Sequence, residues 1–273
     1  MSDETFAPTE ATSDTERFIL RVGAPTLGCI LSALLAAGPM PAVRAARLEG
    51  KLGSINSDLF CVYAINAISL MIYGAMTENK FLFGGNIIST VLSLFYLMSA
   101  IGIAESRVRT RMEVITLTSA TALVATVFVP WAFAPSHAAD ALGLFANASI
   151  IVLFAAPLST VMKVVRDRDS ASINRPFGVM TVVNCIVWSA YSLYIGDIYI
   201  GIPNILGLIL GFIQCSLMII FPSKKPTAEC AEYDNPKLIA RIYAGPPGDS
   251  PTLPGGPSHA ALNGTQRPAA APP

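Results

Sequence analysis

The chain has 273 residues, 53% hydrophobic and only 13% charged, with a mean hydropathy of +0.56, whereas an ordinary soluble domain carries roughly 25% charged residues. That composition excludes an ordinary soluble globule. Eighteen Lys and Arg balance 18 Asp and Glu, which argues against a nucleic-acid partner and moves the electrostatic information to where the charges cluster.

Seven stretches contain no Asp, Glu, Lys, Arg or His: Ala24 to Val43, Leu59 to Thr77, Phe81 to Ala104, Val114 to Ser136, Ala141 to Met162, Pro176 to Gly196 and Ile198 to Pro222. They run from 19 to 25 residues, and a helix rising ~1.5 Å per residue needs about 20 to cross a hydrocarbon core ~30 Å thick. Buried helices of a large soluble protein would need polar faces on most of them, which these stretches lack. The reading is an all-α integral membrane protein with seven transmembrane helices.

Connections rich in Lys and Arg alternate with connections poor in them, and basic loops are retained on the cytoplasmic side. Arg44, Arg47 and Lys51, then Arg107, Arg109 and Arg111, then Lys163, Arg166, Arg168 and Arg175, and finally Lys224 and Lys225 fall on one side; Arg17, Arg21 and Lys80 fall on the other. The expectation is an N-terminus outside and a cytosolic C-terminus in a multi-pass protein of the plasma membrane. The first 21 residues hold five acids and two bases, without the basic start of a removable signal peptide. From Pro222 onward, prolines at 226, 236, 246, 247, 251, 254 and 257 predict a disordered tail. Asn147-Ala148-Ser149 and Asn263-Gly264-Thr265 match glycosylation acceptors, the first inside a span and the second on the cytosolic side, so neither is expected to be used. Of the five cysteines, Cys29, Cys61, Cys185 and Cys215 fall within spans and Cys230 in the tail; none has metal or redox spacing, and no metal or cofactor is expected.

One offset organises the chain. Pro39 and Pro157, Asn66 and Asn184, Tyr73 and Tyr191, and Asn86 and Asn204 are each 118 positions apart, and Ser54-Ile55-Asn56 recurs as Ser172-Ile173-Asn174. The layout is therefore 3+1+3: residues 1–22 outside, a first three-helix repeat over 23–104, a loop and fourth span over 105–138, a second repeat over 139–222, and the tail over 223–273. The fourth span restores the direction of the chain, so the repeats run parallel, related by an axis along the membrane normal. This architecture places a site near the midplane where the halves meet.

The segments FANASIIVLFAAPLSTVMKVV and VVNCIVWSAYSLYIGDIYIGIPNILGLILGFIQ closely resemble the second repeat of the SWEET sugar transporters (the MtN3/saliva family). AAGPMPAVRAARLEGK, YAINAISLMIYG and GGNIISTVLSLFYLM resemble the first repeat more weakly, and that family is among the known examples of parallel repeats. The resemblance implies a small neutral sugar as the ligand. An Asn amide suits one, supplying two donors and two acceptor lone pairs without charge, while an aromatic ring suits the apolar face of a sugar. Interhelical hydrogen bonding is the commoner role of an isolated membrane Asn. Repetition and resemblance favour substrate contact for Asn86 with Asn204 and Asn66 with Asn184.

By the same resemblance Leu70 and Trp188, one turn beyond Asn66 and Asn184, line the pocket, with Trp188 stacking on the sugar. Leu70 departs from the polar or aromatic residue expected there. Leu35 and Leu153 occupy positions tied to substrate size, and their bulk points to a monosaccharide. Pro39, Pro157 and Pro176 match three members of a hinge tetrad at the cytosolic gate; the fourth is replaced by Asp58. Tyr73 and Tyr191 match the outer gate, where Lys80 is expected to pair with Asp197. Oligomers are common by the resemblance, although one chain already carries both halves.

No Asp, Glu, Lys, Arg or His lies inside a span, so the expected mechanism is uncoupled, bidirectional facilitated diffusion by alternating access. A seven-helix receptor is the competing reading, against which the repeat counts. A carrier of another small polar solute is a third. Neither His137 nor His259 lies in a span and no nucleophile-base group stands out, so no enzyme is expected.

Overall fold

A computed structural model describes residues 14–53 and 55–223. Ser54, Lys224, Lys225, Cys230, His259, Asn263-Gly264-Thr265 and the proline-rich tail lie outside the described residues. Seven helices are long and apolar enough to cross a membrane: α1 (Asp14–Glu49), α2 (Asp58–Met76), α3 (Lys80–Ile103), α4 (Ser106–Phe133), α5 (Pro135–Asp167), α6 (Arg175–Ile195) and α7 (Ile198–Ile220). Large apolar side chains such as Val91, Met98, Leu193 and Ile219 are exposed along them, as a lipid-facing surface requires.

Helices α1 and α4 begin furthest ahead of their charge-free stretches. Helix α1 starts at Asp14 and takes a π turn over Ile19–Gly23, so helix already fills part of the expected outer segment. Helix α4 starts at Ser106, which puts Arg107, Arg109 and Arg111 on helical turns rather than in a loop. Charge ends a hydrophobic stretch without ending a helix, because long basic side chains reach the interface from helical backbone.

The packing follows the repeat. In the first half α3 packs against both α1 and α2; in the second α7 packs against both α5 and α6. Between the halves α1 meets α6 and α2 meets α5, the two contacts that a twofold relation between repeats exchanges, and α4 packs on α2 and α5. Close approach inside each half depends on small residues. A β-carbon on Gly74 would sit 2.6 Å from the Phe83 backbone nitrogen, forcing α2 and α3 apart. At the corresponding α6–α7 contact the small residue has changed sides: Gly201, which matches Phe83, faces Ser192, which matches Gly74. Interfaces built on small residues are how apolar helices associate without a hydrophobic driving force between them.

The first helix of each repeat is broken. Pro39 offers no N–H to Leu35 O, and that carbonyl accepts instead from Gly38 N at 3.1 Å, tightening the chain into a turn at Gly38-Pro39. In α5 the turn falls at Phe154, three residues before Pro157, where Phe154 N is shared between Ile150 O and Ile151 O. Pro176 makes no break. It lies in the first turn of α6, where a missing N–H costs nothing, and Asn174 caps that turn by accepting from Phe177 N at 3.1 Å. Asp58, its counterpart, opens α2 and pairs with Arg111 of α4 at 3.0 Å.

Candidate functional site: a polar cavity between the repeats

A cavity of about 160 Å³ opens where the halves meet. Its wall takes Asn66 and Leu70 from α2, Asn86 from α3, Asn184 and Trp188 from α6, and Asn204 from α7. These six sequence candidates are thus brought together. Ser32 of α1 and Asn147 of α5 also line it and were not anticipated.

The amides are anchored by the backbone. Asn86 Nδ2 donates to Leu82 O at 2.8 Å and Asn204 Nδ2 to Ile200 O at 2.7 Å, the same bond in both repeats. Asn66, 4% exposed, donates across the repeat interface to Ala146 O at 2.9 Å. Pro203 lies inside α7 and cannot serve Tyr199 O, whose missing donor is Asn147 Nδ2 at 3.2 Å. At the matching position of the first repeat the Cys29 thiol donates to Phe81 O at 3.2 Å, although Gly85, unlike Pro203, keeps an N–H for that carbonyl.

Trp188 is held differently. Its Nε1 donates to Ser32 Oγ at 3.0 Å, and Ser32 Oγ donates on to Asn184 Oδ1 at 3.1 Å. The indole lies against Gly28, where a β-carbon would come within 2.9 Å of Nε1 and Cε2. Trp188 is therefore packed on α1, only 5% exposed, while still lining the cavity. The matching positions in the other interface are Leu70, Ala146 and Ile150, which make it apolar. Leu35 and Leu153 do not line the cavity; they sit one turn from Ser32 and Ile150, between the lining and the breaks near the prolines.

The end of the bundle carrying Tyr73 and Tyr191 is spanned by two crossed bridges. Tyr73 OH donates to both carboxylate oxygens of Asp197 at 3.1 Å, and Tyr191 OH donates to Asn79 Oδ1 at 3.3 Å. Asn79 and Asp197 are 118 apart and each caps the third helix of its repeat. Asn79 accepts from Leu82 N at 3.0 Å; Asp197 accepts from Tyr199 N at 2.9 Å and Ile200 N at 3.1 Å. Ring contacts repeat the symmetry, with Tyr73 edge-on to Tyr199 at 5.8 Å and Tyr191 edge-on to Phe81 at 6.3 Å. The expected Lys80–Asp197 pair is not formed. Asp197 is committed to its own helix cap and to Tyr73, while Lys80 is exposed at the start of α3.

Asn79 and Asp197 escape a search for identical residues at one offset because the repeat conserves only their capping role. Ser32 and Asn147 escape because their counterparts, Ile150 and Cys29, differ in chemistry. Two signals bear on all of these but Ser32: Asn and Asp directly before a helix are N-cap residues, and a mid-helix proline orphans a carbonyl that needs a donor.

Seven membrane helices arranged as two interlocked three-helix repeats around a polar cavity define a class of membrane carriers. A family model described as "Sugar efflux transporter for intercellular exchange" matches residues 140–226. The chain is 27% identical over 228 residues to the bidirectional sugar transporter SWEET14 of Arabidopsis thaliana, covering 81% of this chain and 80% of that protein. It is 29% identical over 153 residues to the sugar transporter SWEET1 of Drosophila pseudoobscura pseudoobscura, covering 56% and 68%. The fold matches a solved eukaryotic SWEET transporter with a TM-score of 0.66 at 24% identity, over 74% of this chain and 97% of that one. In sequence and in fold the chain is similar to the SWEET transporters.

Proposed function

We propose that this protein carries a small neutral sugar, a monosaccharide such as glucose, across the membrane by uncoupled, bidirectional alternating access. The observation that carries the reading is the asparagine-lined cavity between the repeats, closed at one end by the paired tyrosine bridges. Its volume of about 160 Å³ is below the roughly 300–1,000 Å³ of pockets for drug-sized ligands, as a small solute asks. The lining sets five asparagines and a serine among apolar side chains and carries no charge, so a neutral ligand binds without a desolvated counter-charge.

The two halves act as bodies of residues 23–104 and 139–222, joined by the fourth helix. The bridges of Tyr73 and Tyr191 hold one end shut, and the breaks at Gly38-Pro39 and Phe154 give the opposite end its freedom to move, with Pro176 at the base of α6. Basic residues concentrate at that opposite end, which we assign to the cytosol of a plasma-membrane protein. Transport leaves the solute chemically unchanged, and a single chain suffices as the transporting unit.

Uptake of radiolabelled glucose into cells lacking endogenous sugar carriers, with and without a proton ionophore, tests this. Uptake that ignores the ionophore and runs in either direction with the gradient supports it. Surface-expressed protein that moves neither glucose, fructose nor sucrose overturns the sugar assignment and favours a receptor or a carrier of another solute.

A further inference from the structure

We infer that the cavity selects its ligand by hydrogen-bond donors, because four of its asparagines turn their oxygen ends inward and only one turns its nitrogen end inward. The inference rests on the reading of this cavity as the substrate site and deepens it. Asn66, Asn86, Asn147 and Asn204 each spend Nδ2 on a backbone carbonyl. A carbonyl never donates, so the amide cannot be reversed without setting two oxygens against each other. Nitrogen and oxygen diverge from the same amide carbon, and anchoring one at the helix backbone aims the other away from it. No donor among the described residues reaches these four oxygens.

Asn184 is fixed the opposite way by a relay. The indole N–H of Trp188 can only donate, so Ser32 Oγ accepts from it and must spend its own hydrogen on Asn184 Oδ1. That leaves Nδ2 of Asn184 as the cavity's donor. The two members of the pair Asn66 and Asn184 thus present opposite polarity, although the repeat makes them the same residue. Ser32 sets the difference, and it has no counterpart hydroxyl, since Ile150 occupies the matching position.

A ligand meeting four oxygens must bring several O–H or N–H groups and no carboxylate or phosphate. The test uses a Trp131→Phe variant, in which Trp188 is the single tryptophan; Trp131 is 67% exposed and remote from the cavity lining. Trp188 fluorescence is titrated with glucose, with its monodeoxy and deoxyfluoro analogues and with glucuronate. Fluorine accepts weakly and never donates. At two or more positions the deoxyfluoro sugar should therefore bind as poorly as the deoxy sugar, each about tenfold weaker than glucose, and glucuronate should not bind. Fluorine restoring glucose-like binding at every position, or glucuronate binding like glucose, overturns the inference. Glycerol and its trimethyl ether decide the polarity even if glucose is not the ligand: a response to glycerol alone supports it, and an equal or stronger response to the ether contradicts it. No response to any of these compounds overturns both this inference and the sugar reading.

Discussion

Tyr73 on α2 and Tyr191 on α6, 118 positions apart, each donate a hydrogen bond to the residue that caps the third helix of the opposite repeat. The closure is reciprocal but unequal, since Tyr73 meets the Asp197 carboxylate and Tyr191 meets the neutral Asn79 amide. A bond to a charged group contributes about 1.5–3 kcal/mol and a neutral one about 0.5–1.5 kcal/mol. Tyr73→Phe is therefore expected to open this end more than Tyr191→Phe does. Modification of an introduced Leu70→Cys by a membrane-impermeant thiol reagent measures it, and the Tyr73→Phe background should be labelled several-fold faster. Equal labelling in both backgrounds would show that the bridges do not hold the gate.

Gly28 makes the seat of Trp188. Gly28→Ala sets a methyl group 2.9 Å from the indole, and an overpacked contact of this kind costs about 1–3 kcal/mol. Thermal unfolding should shift down and transport should fall. Gly102→Ala on α3, where nothing lies within 4 Å, is the control and should leave both unchanged. Equal behaviour of the two variants would remove the steric argument.

Ser32→Ala breaks the relay without leaving a large void. Trp188 loses its acceptor, and the Asn184 amide becomes free to turn its oxygen inward. In the Trp131→Phe background the Trp188 emission should shift, glucose affinity should drop by about tenfold, and Ser32→Thr should recover most of it. Emission and affinity unchanged in Ser32→Ala would mean that the hydroxyl orders nothing.

The Asp58–Arg111 pair ties α2 to the start of α4, with side chains 31% and 60% exposed. Exposed pairs of this kind couple by about 0.2–1 kcal/mol. A double-mutant cycle with Asp58→Asn and Arg111→Gln, followed by thermal unfolding, should return a coupling in that range and an unchanged transport rate. A marked change of transport rate would make the pair part of the gate rather than a surface tie.

Much of this arrangement was legible in the sequence, because a membrane span needs a length and a composition that few other elements share. The offset of 118 then paired Asn86 with Asn204 and Tyr73 with Tyr191 before any coordinates. What it could not give was the partner of each group. Lys80 was matched to Asp197 by charge alone, whereas the carboxylate is drawn to the orphan N–H groups of its own helix and to a tyrosine from the other repeat. Asn147 read as an idle glycosylation sequence because its task arises from Pro203, 56 positions later and on another helix. The bond from the Trp188 indole N–H to Ser32 joins residues 156 positions apart, which no local pattern in the sequence reveals.

The most direct test of a sugar path through this cavity is counterflow in proteoliposomes: purified protein, equal glucose on both sides, tracer outside, no ion gradient. Wild-type protein should exchange tracer, and Asn86→Ala and Asn204→Ala should each slow exchange by about tenfold at low sugar. Exchange that proceeds undiminished in both variants would contradict the account.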